Sequence, residues 1–212
     1  MRSIYYLGSV FTLAFATTAT AQDIEGRFQL GLSTDLVSYT DATLTNDDND
    51  QDADMTTTRW GIRENVLLEL GYGVSDMIVI GAMATLGGAS QTIDTGAADD
   101  EESSEFTAVI GPKIDIVLSP GSTVRPFLGA VIAFATTTGE TVGGAETTIT
   151  GFELGGRLGF HWFAAEGFSV APALAFVYAS GSGEVDLGTT NVDISMSGIE
   201  VALMLGASGW ID

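Results

Sequence analysis

Between Gly151 and Tyr178 the chain alternates residue by residue. Phe152, Leu154, Leu158, Phe160 and Trp162 fall on one face; Gly151, Glu153, Gly155, Arg157, Gly159 and His161 fall on the other. After the break Ala164-Ala165-Glu166-Gly167 the pattern resumes. Phe168, Val170, Pro172, Leu174, Phe176 and Tyr178 then oppose Ser169, Ala171, Ala173, Ala175 and Val177. Period-two patterning describes a strand whose two faces meet different surroundings. A short break between two such runs makes a hairpin. Bulk sits on one face, and glycine, alanine and a few charges sit on the other.

The rest of the chain repeats this unit. Strand-like segments run over about 24–40, 57–72, 76–88, 105–118, 124–136, 148–163, 167–180 and 192–207. Gly73-Val74-Ser75, Ser119-Pro120-Gly121-Ser122-Thr123 and Ala164-Ala165-Glu166 read as short turns. The stretches 41–56, 89–104, 137–147 and 181–191 read as long loops. These long stretches and their bounding residues hold 17 of the 28 acidic residues, so charge sorts with loop length. An even strand count with turns at one end and long loops at the other is the arrangement of a transmembrane β-barrel. No stretch is long and apolar enough to be a spanning helix, and the apolar run Ile4 to Ala16 at the beginning also falls short of the ~20 residues that a span requires.

That beginning has its own reading. Met1-Arg2-Ser3, the apolar run Ile4 to Ala16 and the Ala19-Thr20-Ala21 site have the form of a secretory signal peptide. The expected division is residues 1–21 as signal peptide and 22–212 as the barrel domain, starting at Gln22. The absence of cysteine excludes thiol chemistry and cysteine-ligated metals. A net charge of −21 argues against nucleic acid, whose phosphates need lysine and arginine.

Alternation alone does not say which face is inside, because a soluble barrel alternates too. Bulk decides. An eight-stranded interior is just wide enough to be filled by side chains, so the many Leu, Ile, Phe and Val must lie outside, against lipid. The small-residue face carries Arg27, Arg59, Arg63, Lys113, Arg125 and Arg157, together with Glu69, Asp115, Glu153 and Glu200. Inside a closed lumen each cation requires a carboxylate or water, so these ten residues are expected to form a charge network. Trp60, Phe106, Phe134, Phe152 and Tyr178 are expected in one interfacial belt. Phe28, Tyr72, Trp162, Phe163 and Phe168 are expected in the other. Glu64 falls on the lipid face unless a bulge intervenes. Pro112, Pro126 and Pro172 call for bulges or rim positions. The last strand requires a register shift near Ser197-Gly198 if Ile194 and Met196 are to face outward with Ile199, Val201, Leu203 and Leu205.

With the signal peptide, the alternating segments and glycine-rich strands such as Gly151 to Phe160, the mature chain resembles the small outer-membrane β-barrel proteins of Gram-negative bacteria. These are the OmpA/OmpX-type eight-stranded barrels. The resemblance implies an all-β, antiparallel up-and-down barrel in the outer membrane. It also implies a monomer in contact with outer-membrane lipid and lipopolysaccharide. Chains of this type end in an aromatic residue that assembly reads. This one ends Gly209-Trp210-Ile211-Asp212, which leaves Trp210 as the candidate for that role.

Chemistry-bearing patterns are few. Asp48, Asp50, Asp52 and Asp54 alternate as oxygen ligands would at the start of a calcium loop. But Ala53 replaces the turn glycine and Arg59 the closing glutamate. A solvated acidic stretch that attracts divalent cations is the preferred reading. His161, the one histidine, has no nucleophile motif beside it. No cofactor is implied and no enzyme is expected. The expected role is a structural, surface-exposed scaffold with a filled polar lumen. The alternative is a narrow channel for small or apolar solutes.

Overall fold

The computed structural model describes residues 23–47, 51–60, 66–93, 101–140, 145–188 and 190–212. The strands are β1 (Phe28–Asn46), β2 (Gln51–Trp60), β3 (Val66–Ser75), β4 (Ile78–Ile93), β5 (Glu101–Val117), β6 (Val124–Glu140), β7 (Glu146–Ala165), β8 (Phe168–Asp186) and β9 (Asn191–Ile211). All pairings are antiparallel between neighbours, and β1 also pairs with β9, which closes the ring. On its other side β1 pairs with β3 over Phe28–Ser33 and with β2 over Val37–Asn46. β2 and β3 are thus two stretches of one stave, and the ring has eight. Residues 1–22, over which a signal peptide is expected, and Asp48, Asp50, Arg63 and Glu64 lie outside the described residues.

Most bulky residues of the middle of the staves point outward. Phe28, Leu30 and Leu32 on β1, Leu68 and Leu70 on β3, and Leu154, Leu158 and Phe160 on β7 are all exposed. Their inward neighbours Gln29, Ser33, Glu69 and His161 are buried. On β7 the apolar outer band runs from Phe152 to Trp162, the ~9–11 residues that a tilted strand needs to cross hydrocarbon. Phe106, Phe134, Phe152 and Tyr178 close it at one end, and Phe28, Tyr72 and Trp162 at the other. Phe163 does not join that belt. It is an inward residue and is almost completely buried.

The acidic stretches read as long loops are mostly strand. Val37–Asn46 pairs with Gln51–Trp60, β4 and β5 remain paired to Ile93 and Glu101, and β6 and β7 to Glu140 and Glu146. β8 and β9 stay paired to Asp186 and Asn191. The staves therefore continue past the apolar band as a crown. There the hydrophobic face changes sides. On β7, Thr148 and Thr150 point outward and Ile149 inward; on β9, Ser195 and Ser197 point outward and Ile194 and Met196 inward. Above the lipid the outside is water, so aliphatic side chains turn in and hydroxyls turn out. This removes the need for a register shift near Ser197-Gly198, and β9 runs in one register against β8 throughout. The shift lies instead in β1, between Asp35 and Val37, where Leu36 is the extra residue.

Two prolines are accommodated without a bulge. Pro112 keeps its pairing with Ala82 on β4, while the β5–β6 ladder skips Gly111 and Pro112 and resumes in the same register at Lys113. Pro172 pairs with Leu205, and the β7–β8 ladder skips Phe160 and His161. Pro126 sits near the turn-side rim, where its carbonyl accepts the Leu118 amide at 2.7 Å.

Residues 23–27 fold back under the turn-side end. Gly26, at φ +77°, makes the reversal, and its amide donates to the Gly73 carbonyl at 2.8 Å. A side chain at Gly73 would strike the Ile24 carbonyl, so only glycine lets this segment dock. Ile24 is completely buried, and its amide donates to Asp76 Oδ1 at 3.3 Å. The Asp76 and Asp23 carboxyls share a hydrogen bond, which holds Asp23 below the usual carboxylate range and raises Asp76. The lowered Asp23 favours docking above its pKa, and the raised Asp76 favours docking below its own. Docking is therefore strongest in the acidic window between the two, where one proton is shared. The protection of the Ile24 amide, its exchange rate corrected for the intrinsic pH dependence, should be greatest there and fall as pH rises through the Asp76 titration. Asp76→Asn should remove that fall.

Candidate functional site in the lumen

The lumen is layered. At the turn-side end it is apolar: Ile24, Val79, Val117, Phe127, Phe163, Ala173 and Trp210 form one buried cluster. Trp210 packs on Phe163 with ring centroids 5.8 Å apart and edge-on to His161 at 5.6 Å. Its Nε1–H donates to Ser169 Oγ at 3.0 Å, and that hydroxyl is 3.3 Å from His161 Nδ1. Trp210 is therefore an inward plug residue, and Ile211 takes the outward terminal position. The sequence reading missed this layer because it assigned every large apolar side chain to lipid.

Above the plug lie the charges. Lys113 Nζ donates to Glu69 Oε2 at 2.6 Å, Gln29 Oε1 at 2.9 Å and Asp115 Oδ2 at 3.0 Å. Arg157 forks onto both oxygens of Glu69 at 2.8 Å each. It also reaches Asp115, with Nη2 at 2.7 Å from Oδ2 and Nε at 3.1 Å from Oδ1. The Arg157 guanidinium lies 5.4 Å above the Phe127 ring, so it rests directly on the plug. Ser33 donates to Glu69, and Gln29 donates to Ser208. Two cations and two carboxylates from β3, β5 and β7 thus form a neutral, fully bonded bar across the barrel. Bidentate arginine and the extra donors offset the desolvation that burying four charges costs. Gln29, Ser33 and Ser208 were legible only as polar residues on the small-residue face.

The other residues expected in this network lie elsewhere. Arg27 pairs with the exposed carboxylate of Asp212 at 2.8 Å, on the turn-side rim. Arg125 is buried beside the plug, where it donates to the Ser122 carbonyl at 3.0 Å and lies 4.9 Å over the Phe163 ring. Both sit at strand starts, so alternation placed them on the right face but at the wrong height. Glu153 and Glu200 face the lumen above the bar, and Glu200 accepts from Thr40 at 3.2 Å. The backbone of Arg59 is in register with buried Ser38; its side chain, like all of Arg63, is outside the described residues. Asp52 and Asp54 point outward on β2, where they accept from Thr45 at 2.8 Å and Thr43 at 2.9 Å.

Above the bar a cavity of about 200 Å³ opens toward the crown. Leu67, Met83, Val109, Val131, Val177 and Met204 form much of its wall, and Lys113 and Arg157 its floor. His161 lies beneath that floor and is buried with Ser169, so the pair has no approach for a substrate.

The sequence matches the outer membrane protein beta-barrel domain family over residues 7–204. The solid-state NMR structure of outer membrane protein AlkL in lipid bilayers superposes with a TM-score of 0.54 at 12% identity, over 92% of this chain and 95% of that one. OprG from Pseudomonas aeruginosa superposes with a TM-score of 0.52 at 13% identity, over 86% and 96%. At such identities these two show a common fold. No curated protein matches the sequence. With a closed ring of eight staves, an apolar outer band and a match across most of its length, the chain belongs to the outer membrane protein beta-barrel domain family and resides in the outer membrane.

Proposed function

We propose that the protein is a surface-exposed scaffold of the outer membrane whose lumen conducts no solute. The observation that carries this reading is the Glu69–Lys113–Asp115–Arg157 bar resting on the apolar plug. A solute crossing from cavity to turn-side end would have to break several charge-assisted bonds and then displace Phe127, Phe163 and Trp210. Each broken partner would leave a buried charge unpaired, at several kcal/mol. Nothing in this arrangement supports catalysis, since the His161–Ser169 pair is sealed from both ends. Planar-bilayer recordings of the full chain should show no discrete, reproducible openings. Regular unitary steps would overturn the reading.

The cavity above the bar supports a second one, a narrow channel or receptacle for small or apolar solutes. Its walls are largely aliphatic, and it is reached from the crown. The same recordings, repeated with Arg157→Met, separate the two. A scaffold stays silent in both, because the plug still closes the turn-side end, whereas a channel opens with the bar intact.

A further inference from the structure

The crown is not closed all the way round. Below it, β3 and β4 are paired from Ser75 and Ile78 up to Val66 and Leu86. Above Leu86 the next stave on that side is continued by β2. Among the described residues β2 and β4 are not joined: β2 pairs with β1, and the upper part of β4 pairs with β5 alone. Two sheet edges therefore face each other across a slot, Gln51–Trp60 on one bank and residues 87–93 on the other.

The two banks are not alike. A free edge offers main-chain donors and acceptors to any passing chain, and proteins blunt such edges with charge, proline or a bulge. β2 has Asp52, Asp54 and Arg59 along its edge. β4 has Gly87-Gly88-Ala89-Ser90-Gln91-Thr92-Ile93, without charge or proline, and its register against β5 is unbroken to Ile93. Seven residues at about 3.3 Å each make a bare edge of about 23 Å. Its height is fixed by β5. Gly88 is opposite the exposed belt residue Phe106, so positions 89–93 stand above the belt, on the water side.

We infer that the β4 edge is a docking strand for an extended, lysine- or arginine-bearing segment of a partner polypeptide on the crown side, a reading that rests on the outer-membrane scaffold proposed above. The segment adds antiparallel to β4, and its main-chain bonds supply the affinity. The surrounding charge supplies the choice. Glu101, Glu102 and Glu105 of β5 are in register with Ile93, Thr92 and Ala89, and Asp52 and Asp54 are exposed on the opposite bank. Arg59, the one cation of that bank, is at its foot, in register with Ser38. Basic segments are drawn in and acidic ones repelled, most strongly at low salt. The same charge disfavours a second copy of this chain as the occupant, because its net charge is −21 and it would bring the same acidic rims.

The test uses the full chain refolded into zwitterionic detergent micelles, with a peptide of alternating lysine and valine as long as the bare edge. Binding is read by fluorescence anisotropy of the labelled peptide, and its place by backbone amide exchange. Wild type should bind saturably, and alternate amides of residues 87–93, fast without peptide, should slow about tenfold with it. The fully N-methylated peptide keeps the charge and loses every main-chain donor. The glutamate–valine peptide keeps the donors and reverses the charge. Each should bind about tenfold more weakly. Ser90→Lys/Thr92→Lys should weaken the lysine peptide as much, whereas Thr138→Lys/Thr148→Lys, exposed on β6 and β7, should not. The heat-modifiable gel shift checks that both variants fold; if the edge variant does not, the peptides alone decide. The inference is overturned if nothing binds saturably, if the N-methylated peptide binds as well as its parent, if protection appears elsewhere, or if the two lysine variants behave alike. It is equally overturned if these amides are already protected without peptide, because this chain or a second copy then fills the slot. Failure of wild type to give the heat-modifiable shift at all would instead sink the outer-membrane scaffold reading beneath it.

Discussion

Lys113→Met is expected to destabilise the barrel by about 3–5 kcal/mol, the cost of stranding buried charge. The Lys113 side chain is 1% exposed and its ammonium has three oxygen partners, two of them carboxylates. Removing it leaves Glu69 and Asp115 facing each other with Arg157 alone between them. Methionine keeps most of the stem's packing, so the loss reports charge rather than volume. The companion variant Lys113→Met/Asp115→Leu removes one charge of each sign and restores neutrality. It should be more stable than Lys113→Met alone, although it lacks more bonds. Urea unfolding midpoints in the same detergent measure both, with the coupling read as a double-mutant cycle. Simple additivity of the two substitutions would mean that the bar is not electrostatically closed.

The second large effect is expected at the turn-side plug. Trp210→Ala should cost about 3–5 kcal/mol, the range for emptying a packed aromatic site. Trp210 contacts Phe163 and His161 and is 4% exposed, with little room for the plug to collapse. Trp210→Phe keeps most of the ring and loses the Nε1–H bond to Ser169, so its cost should be nearer about 1 kcal/mol. If both variants cost the same, the hydrogen bond rather than the packing is what Trp210 supplies. If neither unfolds earlier than wild type, the plug does not hold this end together.

Much of this architecture was written in β7 and β8, where alternation is unbroken and the outward residues are large. There the periodicity gives the strand, the face and the lipid contact together. It failed where one face meets two solvents along its length. Ile194 and Met196 are apolar and were assigned to lipid, but they lie in the crown, where apolar groups turn away from water. Phe163 and Trp210 failed for a related reason, since a barrel too narrow for many large side chains still holds a few at a sealed end. In the charge network, alternation identifies the inward face but not the height. Glu69, Lys113, Asp115 and Arg157 meet because β3, β5 and β7 are staggered to bring them level. Arg27 and Arg125 share their face and sit a storey lower. Stagger depends on pairings between strands distant in sequence, which a single chain read linearly does not display.

The switch of hydrophobic face between Phe152 and Ile149 works as a waterline. A barrel with a uniformly greasy wall can ride higher or lower as bilayer thickness varies. This hull cannot. Sinking by one residue pair would drown Thr150 and Ser182 in hydrocarbon, and rising by one would lift Phe134 and Phe152 into water. The draught of the vessel is set by its own planking, and a thinner membrane must bend to meet it.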